Sequence, residues 1–318
     1  MNQPSHTIKR ILDSLPGTVR AGTWGVALLF LGLILFVTNP WFTVIDDEVT
    51  AFDVANRSAV QLVHAYWIGE APYQRPPLYD LILHEWLRIT GGDLRLLRVP
   101  SIPFYVMGLW FLARAGARLG GPPAFRNLLF IGLLWPYGFH FGRLAIWYSC
   151  SFFLVALVTY EYLRLQEQGT LSRWTMLAGA SLALVYVSYF GWAILACLAF
   201  DMILEKRGSL LGQWPAWAGT VIFLLAAYAP FWRSLIDEAR YGPGWNHSLV
   251  GTLAYTGFTG YVLFVSESVA PWFWWLSVPA LVAIAACLGA VALHGTGRAR
   301  RLFFYFIVLV VAIAPFGP

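Results

Sequence analysis

Charge is what this chain has least of. Only 12% of its 318 residues are Asp, Glu, Lys or Arg, 59% are hydrophobic, and mean hydropathy is +0.64. A water-soluble chain of this length carries roughly twice that charge fraction. The composition therefore excludes an ordinary soluble enzyme and points to an integral membrane protein. Cysteine is also scarce. Cys150, Cys197 and Cys287 each lie inside an apolar run, so they read as small core residues and exclude a disulfide framework or a thiolate metal site. The histidines His64, His84, His140 and His247 show no HExxH or similar spacing, which leaves them without a metal motif. No Gly-rich nucleotide-binding turn is present, and neither are internal repeats or low-complexity tracts. Barrel strands would alternate weakly with period two, whereas these apolar runs are long and continuous, so the spans are helical. The net charge of +5 fits basic cytoplasmic loops under the positive-inside rule and needs no nucleic-acid partner.

What charge there is collects in one place. The stretch Asp46 to Arg98 holds eight of the sixteen acidic residues. It opens on three consecutive acids, Asp46, Asp47 and Glu48, directly after the first apolar segment. Charge next to a bilayer is expensive, so such a segment is either a solvated loop or a working site.

The spans follow from apolar runs of roughly twenty residues. Lys9, Arg10 and Arg20 place the N-terminus inside, and some twenty polar residues ahead of the first run with no A-x-A site after it predict a retained anchor, not a cleaved signal peptide. Span one (about 22–38) delivers the acids to the outer face. The first outer loop, 39–98, is expected to hold two juxtamembrane helices. Val49, Phe52, Asn56, Ala59, Val60, Val63 and Tyr66 recur at helical spacing, which predicts one amphipathic helix in the interface. After Arg75-Pro-Pro comes a second, Leu78 to Ile89, with Asp80, His84, Glu85 and Arg88 on its polar side and Gly91-Gly92 ending it. Spans two to seven are expected near 99–113, 125–139, 146–163, 174–190, 191–204 and 215–232. Parity then makes 233–271 an outer loop with an interfacial helix at 249–265, followed by span eight (272–293) and span nine (302–318). The whole chain, 1–318, reads as one domain, and its abrupt end at Pro318 predicts a missing C-terminal remainder. On this topology thirteen of the twenty-one Lys and Arg residues lie inside; of the eight outside, five sit in the first loop. A loop that departs so far from the charge bias has another reason to hold arginines.

A carboxylate at a membrane surface can serve as general base towards a hydroxyl or amine, and an always-charged, forked arginine suits a leaving phosphate. Asp47 and Arg75 in one loop meet both needs. The plainer readings are that acids in a first helical turn favour the macrodipole by about 0.3–1 kcal/mol, and that Arg75 snorkels beside a proline turn. Three acids exceed what the dipole asks for. Asp201, near the end of span six, is expected to face water or a partner helix, and Trp272, Trp274 and Trp275 an aromatic belt.

The order of these signals resembles the GT-C glycosyltransferases, in particular the protein-mannosyltransferase and aminoarabinose-transferase branch (glycosyltransferase family 39-like). The residues that carry the resemblance are Asp47-Glu48, Arg75-Pro-Pro-Leu-Tyr79, Leu97-Arg98-Val-Pro-Ser101, Arg143-Leu-Ala-Ile-Trp-Tyr148 and Ser266-Glu-Ser-Val-Ala-Pro-Trp272. They extend over nearly the whole chain. The resemblance implies an all-α polytopic membrane protein, a GT-C transmembrane module of about nine spans whose first outer loop lies above a lipid-facing cavity. It implies transfer of one sugar from a polyprenyl-phosphate donor to an acceptor on the outer, periplasmic face of the inner membrane, with inversion. The family's catalytic acid falls on Asp47, flanked by Asp46 and Glu48, and its lipid-phosphate contact on Arg75. His84, Arg98, Arg143 and Tyr148 are the remaining candidates for lining the site. Where relatives place a further acid in the second outer loop, this chain has Phe139-His-Phe-Gly-Arg143 and no carboxylate, so no metal ligand is assigned and a divalent cation stands only as a candidate cofactor. Two other functions compete. A lipid or glycolipid flippase would show inverted repeats and charged, broken mid-membrane helices; a non-catalytic scaffold would tolerate neutralisation of the three acids.

Overall fold

The computed structural model describes residues 17–39, 43–68, 76–205, 210–241 and, beyond these, 275, 278–279, 281–282, 285–286, 289, 293 and 297–313. Every regular element among them is helical. In chain order the helices are α1 (Gly17–Thr38), α2 (Asp46–Ala55), α3 (Ala59–Ile68), α4 (Leu78–Thr90), α5 (Ser101–Leu134), α6 (Pro136–Phe141), α7 (Tyr148–Glu167), α8 (Leu171–Val185), α9 (Phe190–Glu205), α10 (Leu210–Ala227), α11 (Trp232–Tyr241) and α12 (Gly297–Ile313). The expected interfacial helix at 249–265 lies outside the described residues, as does most of span eight.

Among its described residues the loop between α1 and α5 holds three α-helices, where two were expected. The amphipathic segment breaks at Asn56–Ser58 because Ser58 starts a new helix. Ser58 Oγ accepts from the Gln61 amide at 3.2 Å, and the Gln61 side-chain oxygen accepts from the Ser58 amide at 3.2 Å, a reciprocal capping box. The face packed against the protein is not the whole apolar stripe. Val49 and Val60 are exposed, and the buried positions are Glu48, Ala51, Val54 and Ala55 of α2 with Leu62 and Tyr66 of α3. Losing one cap costs about 1 kcal/mol. Ser58→Ala is therefore expected to lower the unfolding free energy by about that much, read as a shift of the thermal midpoint in detergent.

By length and composition, one described segment, Leu94–Leu134, is long and apolar enough to cross a bilayer, and the pair Trp214–Ala227 and Ala229–Asp237 qualifies together, bent by 49°. Shorter apolar helices are Gly22–Thr38, Leu171–Val185 and Phe190–Leu204. The long segment is not straight. Gly120 and Gly121 leave helical geometry, Gly121 with φ 70°, and Pro122-Pro123 follow. Glycine takes that left-handed conformation without steric cost, and the chain reverses there. The two legs of α5 pack antiparallel: the Trp110 and Phe125 rings meet edge-on at 5.5 Å, Tyr105 Oη donates to the Gly132 carbonyl at 3.2 Å, and a Cβ on Gly132 would meet Leu109 Cδ2 at 2.5 Å. The first leg also lies close against α7, where Gly108 leaves room for the Phe152 ring.

α5 and α7 form the centre, with α1 on one side of α5 and α8 to α10 beyond α7. The loop helices share their core: Ala51, Ala55, Tyr79, Leu83, Leu87 and Leu97 belong to the same buried cluster as α7 residues. The outward faces are strongly apolar, with Val26, Leu29 and Phe30 of α1, Phe130 and Ile131 of α5, Met176 of α8, Phe200 of α9 and Ile222 of α10 all exposed. Large apolar side chains exposed in this number suit hydrocarbon better than water.

Candidate functional site

The three acids separate at the start of α2, because successive helical side chains point about 100° apart. Asp46 and Asp47 are exposed, whereas Glu48 is completely buried. A third-position glutamate can fold back on its own helix start, and Glu48 Oε2 accepts from the Ile45 amide at 3.2 Å. It then does much more. Arg98, 4% exposed, grips it with both prongs of its fork, Nε to Oε1 at 2.7 Å and Nη2 to Oε2 at 2.5 Å. The Ala145 amide donates to Oε1 at 2.8 Å. Arg98 also donates to the Thr43 carbonyl at 2.7 Å and to Asn39 Oδ1 at 3.5 Å. One buried ion pair thus ties the end of α1, the start of α2, the approach to α5 and the turn before α7. Bidentate, charge-assisted bonds of this sort are both strong and geometrically selective.

Arg143 stands next to this pair. It is 2% exposed, and its guanidinium carbon lies 4.9 Å from the Phe139 ring centre. Burial pulls its pKa down to about 10; repulsion from Arg98 acts in the same direction and the Glu48 carboxylate opposes it. Two arginines thus stand around one carboxylate in this cluster. Tyr148, half-buried at the start of α7, meets Trp147 and Phe141 edge-on at 4.8 and 5.5 Å. The structure therefore assembles Glu48, Arg98 and Arg143, and sets Asp46 and Asp47 on the helix end that Glu48 anchors.

His84 is not brought to the acids. Its Nδ1 is 2.8 Å from the Ala55 carbonyl oxygen, at the far end of α2, about 12 Å along the helix from Asp47. Glu85 and Arg88 form an exposed pair at 2.7 Å. Arg75 lies outside the described residues. Among the described residues no three His, Cys, Asp or Glu side chains gather into a metal-holding group, so a divalent cation has no ready set of ligands there.

Several partners were not anticipated from sequence. Asp80, expected on a polar helix face, is fully buried and accepts from Tyr66 Oη; Ser234 Oγ in turn donates to the Tyr66 carbonyl at 3.0 Å, joining α3, α4 and α11. Tyr79 Oη lies 2.8 Å from Ser101 Oγ, which donates to the Leu144 carbonyl at 2.6 Å. The amide of Leu78 donates to the Tyr186 carbonyl at 3.0 Å, fastening α4 to the end of α8. None of these left a local sequence signal; the Ser58-x-x-Gln61 box and the third-position Glu48 did. Asp201 does face partner helices: it accepts from Tyr162 Oη at 2.7 Å and from Arg301 Nε at 3.1 Å.

A separate apolar cavity opens between α8, α9 and α10. Its walls include Trp174, Leu177, Trp192, Met202, Trp217 and Leu224. Trp192 and Leu195, both in this wall, also pack against the buried cluster that includes Val185, Tyr228 and Phe231. No protein-family model matches the chain, and neither curated proteins nor solved structures yield a significant match.

Proposed function

We propose that the chain is an inverting glycosyltransferase of GT-C type that takes its sugar from a polyprenyl-phosphate donor. The observation that carries this reading is the division of labour at α2: a buried Glu48–Arg98 pair holds the helix end rigidly while Asp47 stands exposed on it. A general base must be both positioned and accessible, and Asp47 meets both conditions. Asp47 would remove the acceptor proton as the acceptor oxygen or nitrogen attacks the anomeric carbon and the polyprenyl phosphate departs. The guanidinium groups of Arg98 and Arg143, and Arg75 in the first outer loop, would stabilise the leaving phosphate. Tyr148 and Asp46 would border the sugar. The apolar cavity of α8 to α10 offers a lining that suits part of an isoprenoid tail. No step is assigned to a metal ion.

On this reading the chain is a polytopic protein of about nine spans in the cytoplasmic membrane, with the N-terminus inside and the site on the outer face. Membranes carrying the chain, supplied with labelled polyprenyl-phosphate sugars, are expected to move label to an endogenous or added acceptor above the rate of membranes without it. Absence of transfer across several donor sugars and acceptors would refute the proposal.

A further inference from the structure

The far ends of α5's first leg and α7 carry a second charged cluster that the transferase reading does not use. It lies about 20 Å along α5 from Ser101, where the first leg ends before the Gly120-Gly121 reversal. Three guanidinium carbons converge on the ring of Tyr160: Arg118 at 5.1 Å, Arg164 at 5.5 Å and Arg114 at 5.7 Å from its centre. Arg114 Nη2 donates to Tyr160 Oη at 3.2 Å. Two carboxylates compensate part of this charge. Glu161 takes Arg164 at 2.9 Å, and Glu167 pairs with Arg118. A fourth arginine, Arg173 at the start of α8, donates to the Arg164 carbonyl at 2.6 Å and to Gln168 Oε1 at 2.8 Å.

The cluster thus has four cations and two carboxylates. The bonds of Arg114 and Arg173 described above end on neutral oxygens, so two positive charges remain within it. A helix C-terminus favours a nearby cation, which accounts for one arginine at the end of α7 and not for four. Crowding like charges is unfavourable unless an anion shares the site. The arginines are also reachable. Arg114 is exposed, and the Arg118 and Arg164 side chains keep 24% and 31% of their surface open. The neighbouring helix faces are apolar and outward, with Met176 of α8 and Phe200 of α9 among them. The cations therefore sit where a hydrocarbon-facing surface ends.

We infer that this cluster is a binding site for the phosphodiester headgroup of an anionic phospholipid. Forked guanidiniums match phosphate oxygens in pairs, and basic pockets at helix ends on the cytoplasmic side of a membrane bind such headgroups. The lipid's acyl chains would lie along the exposed faces of α8 and α9. The site rests on the membrane reading of these helices and is independent of sugar transfer at the opposite end.

The test is native mass spectrometry of the full chain taken from vesicles of phosphatidylcholine with a minority of phosphatidylglycerol. Wild type is expected to retain phosphatidylglycerol in preference to phosphatidylcholine. The double variant Arg114→Gln/Arg173→Gln is expected to lose about tenfold or more of that preference, with an unchanged thermal midpoint in phosphatidylcholine alone. Should the double variant fold poorly, Arg114→Gln alone tests the same point at an exposed position. Equal retention of the two lipids by wild type, or a preference that the variants leave intact, would overturn the site. Displacement of the lipid by millimolar inorganic phosphate would overturn the lipid as its occupant in favour of a soluble phosphate. Because sugar transfer is not the readout, failure here is distinct from failure of the transferase proposal.

Discussion

Glu48→Ala is expected to destabilise the protein by about 3–5 kcal/mol, the cost of removing one partner from a buried ion pair. Three groups lose their acceptor at once: the fork of Arg98, the Ala145 amide and the Ile45 amide. Arg98, at 4% exposure, would be left as a buried cation without that carboxylate. The effect should reach far in the chain, since the pair joins residues 39, 43, 45, 48, 98 and 145. Pairing it with Arg98→Met should recover part of the loss, because removing both charges leaves no bare cation. Thermal unfolding and protease resistance of the purified variants in detergent measure this. A Glu48→Ala protein within about 0.5 kcal/mol of wild type would show that the pair contributes little.

The second large effect is on rate. Asp47→Asn is expected to lower sugar transfer by about 10²- to 10⁴-fold, the usual contribution of a general base. Asparagine keeps the shape and cannot take up the proton. As Asp47 is exposed, stability should stay within about 0.5 kcal/mol of wild type. Asp46→Asn, one residue away and turned by about 100°, should leave transfer within a few-fold. The opposite pattern would move the base to Asp46. Two fully active variants would remove both acids from the mechanism. Glu48 variants do not decide this question, because their destabilisation lowers transfer as well.

The contrast between these neighbours marks how far a linear reading reaches. The three acids, the arginines of the first loop and the apolar runs were visible because composition and period are local properties. That one acid would be structural and two exposed was not. Helical rotation separates the three, but which direction is inward depends on Arg98, fifty residues on, and on an amide at Ala145. The same limit explains the amphipathic segment. Apolar spacing through Val49 and Val60 suggested one continuous helix, yet the Ser58–Gln61 box divides it into two. His84 was grouped with the acids by sharing their loop, and the fold places it against Ala55 at the other end of α2.

The chain read alone establishes a helical, strongly apolar protein whose charge is concentrated in one loop, because hydrophobic period and charge density need no partner to be measured. The turn between the apolar runs at 99–113 and 125–139 belongs to that level too, because the hydrophobic run breaks between them. The tertiary structure alone decides which charges are used up. Glu48 and Asp80 look like free surface acids in sequence and are buried acceptors in the fold. Asp201 finds Arg301 across a hundred residues of chain. The arginines around Tyr160 become a cluster only when the ends of α5, α7 and α8 meet. Burial and pairing depend on contacts between distant segments, and those contacts exist only once the helices have packed.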